Sequence, residues 1–170
     1  MAGFSERLVS DILDMISTTT ALRTFKFFGT ARESDSTSAE RTALSSSILR
    51  SLSHNNAIDS VEIRTTTIDG EMLRSLVTRD DCRLQSLEIA SCSLFMSPLE
   101  LTQAFTANKS LSSLSWQGNG PGFMDALLQG LSGHKHLRKL SLFATGEDHV
   151  EGLAVGQALA TCPVLEDIFW

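Results

Sequence analysis

The amino-acid sequence predicts an α/β solenoid of about six strand–helix units, with a curved parallel sheet on the concave face and α-helices on the convex face. Three features point to it. Apolar residues recur at places 1, 4 and 6 of a unit, followed by a small hydrogen-bonding residue at place 9. The units start at residues 22, 58, 84, 111, 137 and 165, in steps of 36, 26, 27, 26 and 28, and a near-constant period of this length marks a stacked repeat. Between the units lie apolar stripes with steps of four, as one-sided helices require. Each stripe runs into a polar pentapeptide ending on place 1: "TTTAL", "HNNAI", "DDCRL", "ANKSL", "GHKHL" and "TCPVL". Their Asn, Asp, Gly, Pro and Thr residues suit helix exits and tight turns.

The elements follow in order. Phe4, Leu8, Ile12 and Ile16 predict a helix covering the first end of the stack, and Leu22, Phe25, Phe27 and Thr30 form the first unit. The first step is the long one. Its surplus, "ARESDSTSAERT" at 31–42, is polar and rich in Ser, Thr and charge, which predicts a flexible inserted loop. Leu44, Ile48 and Leu52 mark the second helix, and Ile58, Val61, Ile63 and Thr66 the second strand. Met72, Leu73, Leu76 and Val77 place a helix over 71–79 with Asp69 as its cap, ahead of Leu84, Leu87, Ile89 and Cys92. Leu101 and Phe105 place the next over 98–106, with Ser97 as cap and Pro98 at the first helical position. Leu111, Leu114, Trp116 and Asn119 come next, then the stripe Phe123, Leu127, Leu131, then Leu137, Leu140, Leu142 and Thr145. A last helix over 149–160 carries Val155 and Leu159, and Leu165, Ile168 and Trp170 begin a copy that stops before place 9. Trp116 and Trp170 sit at place 6, a core or end-of-core position. Residues 1–170 read as one domain, long enough for a core without a disulfide or metal staple.

A buried backbone donor or acceptor without a partner costs about 1–3 kcal/mol. Place 9 supplies short side chains to the turn that leaves each strand, so Thr30, Thr66, Cys92, Asn119 and Thr145 are expected to form a structural ladder. The whole pattern resembles leucine-rich repeat proteins of the ribonuclease-inhibitor-like subclass, which place leucines at 1, 4 and 6 and Asn or Cys at 9. The resemblance spans roughly residues 4–170. It implies a leucine-rich-repeat solenoid with full helices on the convex side. Thr at three of the five ladder places departs from the subclass and implies a weaker ladder. Repeats of this kind serve many unrelated tasks, so the resemblance assigns none.

The net charge of −6 and pI of about 5.1 provide no electrostatic footprint for nucleic acid or anionic lipid, so neither is expected as a partner. Three scattered cysteines form no pairwise framework and suggest a reducing compartment. With no signal-like N-terminus and no bilayer-length apolar run, a cytoplasmic or nuclear location is expected.

Side chains at places 3, 5 and 7 point to the concave face. Phe28, Arg64, Gln117 and Phe143 are the expected contact residues there, beside Glu62, Glu88 and Lys139, because exposed aromatics and arginine anchor interfaces. The alternative is an ordinary solvated sheet face with scattered apolar residues. "GNGPG" at 118–122 lacks the Lys-Ser/Thr ending of a phosphate loop. His134 and His136, with Cys162, match no zinc spacing and read as solvated turn residues. Asp80 and Asp81 are neighbours facing water, not opposed across a substrate, and no serine sits in a nucleophile elbow. No catalytic residue, metal site or cofactor is assigned.

The expected function is therefore a non-catalytic module that binds a partner protein, of unknown identity, through its concave face. Two alternatives stand beside it. One is a regulator that stimulates a small GTPase, as some proteins with similar repeats do. The other is a fragment of a larger receptor or sensor, suggested by the open C-terminal strand edge: either that edge docks on another chain, giving a dimer, or a missing C-terminal part covers it.

Overall fold

The computed structural model describes residues 6–29, 38–78, 83–118, 122–143 and 152–170. Its elements are α1 (Glu6–Thr18), β1 (Thr24–Phe28), α2 (Ser38–His54), β2 (Ser60–Arg64), β3 (Thr67–Asp69), α3 (Gly70–Thr78), β4 (Ser86–Ala90), β5 (Ser93–Phe95), α4 (Pro98–Ala107), β6 (Ser113–Gln117), α5 (Phe123–Leu131), β7 (Lys139–Phe143), α6 (Gly152–Leu159) and β8 (Asp167–Phe169). Strands β1-β2-β4-β6-β7-β8 form one parallel sheet in chain order, skipping β3 and β5, which pair with each other. Consecutive helices pack against one another behind it.

The register aligns the repeat with itself. Phe25, Val61, Leu87, Leu114, Leu140 and Ile168 stand side by side at place 4, and Phe27, Ile63, Ile89, Trp116 and Leu142 at place 6. With Ile58, Leu84, Leu111 and Leu137 at place 1, the central members are buried in one continuous core. Trp116 is fully buried, edge-on to Phe105 with ring centroids 5.8 Å apart, and its indole N–H donates to the Gly118 carbonyl at 3.1 Å. Trp170 differs from the core position expected for it. It lies past the last paired residue, Phe169, and is 76% exposed.

Place 8 holds a backbone ladder of its own. The amides of Gly29, Thr65, Ser91 and Gly118 donate to the place-7 carbonyls of the next unit, Arg64, Ala90, Gln117 and Phe143, at 2.8–3.3 Å. Thr65, Ser91 and Gly118 turn the chain there with left-handed φ values of 54°, 54° and 81°. At Gly29 the neighbouring coil passes so close that an added Cβ would lie 2.1 Å from the Thr65 carbonyl oxygen.

Several elements differ from the sequence expectation. Helix α2 begins at Ser38, so residues 38–42 of the expected loop are helical, and 31–37 lie outside the described residues. Ala, Glu and Arg at 39–41 are strong helix formers. In α1, Ile16 is buried and Leu13 packs on the core, whereas Leu8 and Ile12 are exposed. A stripe with steps of four drifts about 40° per step around a helix, so its ends cannot face the same wall. Leu44 is exposed for the same reason, while Ser45 beside it is buried. The small β3–β5 sheet was not expected. Its central residues, Ile68 and Leu94, both stand at place 11, a recurrence too short to read as a strand.

Candidate functional site

The face of the sheet away from the helices presents places 3, 5 and 7, and it divides into two halves. On the N-terminal half the charges are satisfied among themselves. Glu62 at the centre of β2 is buried, and its carboxylate meets Lys26 Nζ and Arg64 Nε at 2.6 Å each. Arg64 also pairs with Glu88 on β4 and lies 5.9 Å over the Phe28 ring. The hydrogen bond from Lys26, with the charges of Lys26 and Arg64, holds the Glu62 carboxyl below the usual carboxylate range against its partial burial. The structure thus brings Phe28, Glu62, Arg64 and Glu88 into one network, with Arg64 already engaged three ways.

The C-terminal half is uncharged at its centre. Ser113, Ser115, Gln117 and Ser141 are half-buried, and Phe143 at the end of β7 is 48% exposed. Gln117 pairs with Phe143 in register, and Ser141 with Phe169 of β8, which is 61% exposed. Two aromatic rings on adjacent strands therefore flank a floor of small polar residues. Phe169 was missed by sequence reasoning because its unit is incomplete, although it stands at place 5. Lys139 faces Asp167 at 3.5 Å on the far rim, apart from this corner.

Of the expected place-9 ladder, Thr66 and Cys92 fall among the described residues. Thr30, Asn119 and Thr145 lie outside the described residues. Cys92 donates its thiol proton toward the Ala90 and Ile63 carbonyls, at 3.3 and 3.5 Å, and so links its own coil to the previous one. Burial pushes the Cys92 thiol up, which withholds the thiolate that nucleophilic chemistry needs. Thr66 instead bonds the Ser45 hydroxyl of α2 at 2.6 Å, tying strand to helix.

A second ladder, unexpected from the sequence, runs through the helix exits three residues before place 1. Asn55 donates to the Ile16 and Thr19 carbonyls at 2.6 and 2.7 Å and accepts the Ala57 and Ile58 amides. Asn108 donates to the Val77 carbonyl at 2.6 Å and accepts the Ser110 and Leu111 amides. His134 repeats the arrangement, which corrects its reading as a solvated turn residue. It is 6% exposed, its Nδ1 accepts the Leu137 amide at 3.1 Å, and its Nε2–H donates to Asn108 Oδ1 at 3.2 Å. Cys162 ends the series by donating to the Leu131 carbonyl at 3.2 Å. The signal was present in the sequence: Thr19, Asn55, Asp81, Asn108, His134 and Cys162 occupy equivalent places. Asp80 and Asp81 lie outside the described residues, and His136 is exposed. Among the described residues no cluster of three His, Cys, Asp or Glu side chains is placed to hold a metal ion. No helix among them is long and apolar enough to cross a membrane.

This register and layering define the class: an α/β repeat solenoid of the leucine-rich-repeat type, with a parallel sheet on one side and helices on the other. A solved structure from Caenorhabditis elegans, the tropomodulin C-terminal domain, is similar over 90% of this chain and 92% of its own, with a TM-score of 0.59 and 13% sequence identity. A likeness at that identity shows the fold alone. No family model matches the sequence, and no curated protein matches it. These findings correct the subclass expectation: the fold likeness leads to a tropomodulin domain, and the ribonuclease-inhibitor-like assignment does not stand. The physical reason lies in the side chains that tie the coils together. Among the described residues, the buried side-chain amides that do so, Asn55 and Asn108, sit at helix exits.

Proposed function

We propose that this chain is a non-catalytic interaction module that binds a partner protein on the open face of its sheet, at the corner formed by Gln117, Phe143 and Phe169. The observation that carries the reading is the contrast between the two halves of that face. Lys26, Glu62, Arg64 and Glu88 neutralise one another, so a partner gains little by displacing them. Phe143 and Phe169 expose rings over a rigid, uncharged floor, the kind of anchor on which binding energy concentrates. A matching partner presents an apolar or aromatic side chain flanked by neutral hydrogen-bonding groups. The buried free thiols of Cys92 and Cys162 fit a reducing compartment such as the cytoplasm or nucleus.

The test places a photo-reactive amino acid at Gln117, identifies the cross-linked protein, and titrates the purified partner against variants. Phe143→Ala is expected to weaken binding about 30-fold, the loss typical of a buried aromatic anchor. Arg64→Ala is expected to change it several-fold less. Equal affinity of wild type and Phe143→Ala rejects the open-face site.

A further inference from the structure

The exit turns after α4 and α5 enclose a cleft of about 280 Å³, remote from the open face, whose walls include Thr106, Lys109, Ser132, His134, Lys135 and His136. Its shape is fixed by a close helix crossing. An added Cβ at Gly130 would lie 2.8 Å from the Thr102 carbonyl oxygen, and the Thr102 hydroxyl donates to the Ala126 carbonyl at 2.9 Å. The Asn108–His134 hydrogen bond then ties the two exits together at the cleft floor.

The cleft carries positive charge at two of its lining residues, Lys109 and Lys135. Among the described residues its lining contains no carboxylate. Lys26, Arg64, Arg138 and Lys139 are each engaged by an acidic side chain, whereas Lys109 and Lys135, like Arg7, Arg23, Arg50, Arg74 and Arg83, form no ion pair among the described residues. Two lysines line this one recess in a chain of net charge −6. Ammonium groups act as point charges for phosphate, and two of them match the two charges of a phosphomonoester near neutral pH. The volume accepts a phosphate with a few attached atoms and falls just short of pockets for drug-sized ligands, about 300 Å³ and above.

We propose that this cleft binds a phosphomonoester group through Lys109 and Lys135, with the exposed His136 ring at its rim. A competing account exists on physical grounds. Both lysines follow the C-termini of α4 and α5, where a cation complements the helix dipole without any ligand. The two accounts diverge in their response to phosphate.

The experiment measures binding of inorganic phosphate, O-phosphoserine, and a short peptide with and without phosphoserine, by calorimetry at constant ionic strength with chloride as reference. Wild type is expected to bind the phosphorylated ligands saturably. The double variant Lys109→Gln/Lys135→Gln is expected to lose at least tenfold in affinity while keeping the wild-type circular dichroism spectrum. O-phosphoserine binding as tightly as the phosphopeptide identifies a small phosphorylated compound as the source, and tighter peptide binding identifies a phosphorylated protein. Absence of saturable binding overturns the proposal. So does a double variant that melts lower in every buffer yet binds phosphate as wild type does, because the lysines then serve the helix ends alone.

Discussion

His134 shows how one side chain can serve a turn and also expose it to acid. Its Nδ1 must be unprotonated to accept the Leu137 amide, and its Nε2–H is committed to Asn108. Burial, followed by the nearby His136, lowers its pKa below the ordinary value of 6.5. A depressed histidine pKa means that the folded state binds its proton less readily than the unfolded chain. The stabilisation is complete above about pH 6.5 and is lost as pH falls from there through the folded-state value. Asparagine performs the same task at positions 55 and 108 without titrating. His134→Asn is therefore expected to fold and to flatten the pH dependence. In urea unfolding, the wild-type midpoint falls between about pH 7 and pH 5 more steeply than that of the variant. Parallel declines in the two proteins would show that His134 does not carry the effect.

At the scale of the element, capping decides where helices start. Ser97 accepts the Glu100 amide at 3.3 Å, and the Glu100 carboxylate returns to the Ser97 amide at 2.7 Å, a complete capping box with Pro98 at the first turn. Asp69 accepts the Glu71 and Met72 amides ahead of α3. Both caps were legible as residue types just before an apolar stripe. Ser97→Ala is expected to lower stability by about 1 kcal/mol, read by chemical unfolding. The start of α2 was not legible, because a Ser-rich polar run suits a loop and a helix's wet side equally well. The inward face of α1 was missed as well. Val9, Leu13 and Ile16 compete with Leu8, Ile12 and Met15 for the same helix, and position against α2 determines which set is covered.

Across the whole molecule, each unit contacts its neighbours and stability propagates through the shared core. Leu114 is 1% exposed and flanked in register by Leu87 and Leu140, so its truncation opens a void at the centre of the stack. Leu114→Ala is expected to cost about 2–5 kcal/mol, measured by urea or thermal unfolding. A loss below about 1 kcal/mol would contradict the register. The C-terminal aromatic corner and the cationic cleft also belong to this scale. Each is assembled from residues about one repeat apart in sequence that stacking brings together.

The sequence by itself determined the parallel solenoid, its register and its buried columns, because a fixed period leaves one way to keep every apolar place dry. It also determined which side chains of the complete units stand on the open face, since strand alternation admits no other set once the register is known, whereas Phe169 of the incomplete last unit was missed. Tertiary structure alone decided which of those groups are already engaged. Arg64, an expected contact residue, is engaged by Glu62, Glu88 and Phe28. It also decided that His134 is a buried tie and that Lys109 and Lys135 share a recess, since both depend on how adjacent coils meet. Periodicity specifies which face a residue occupies, whereas pairing depends on distances between coils that a linear pattern does not contain.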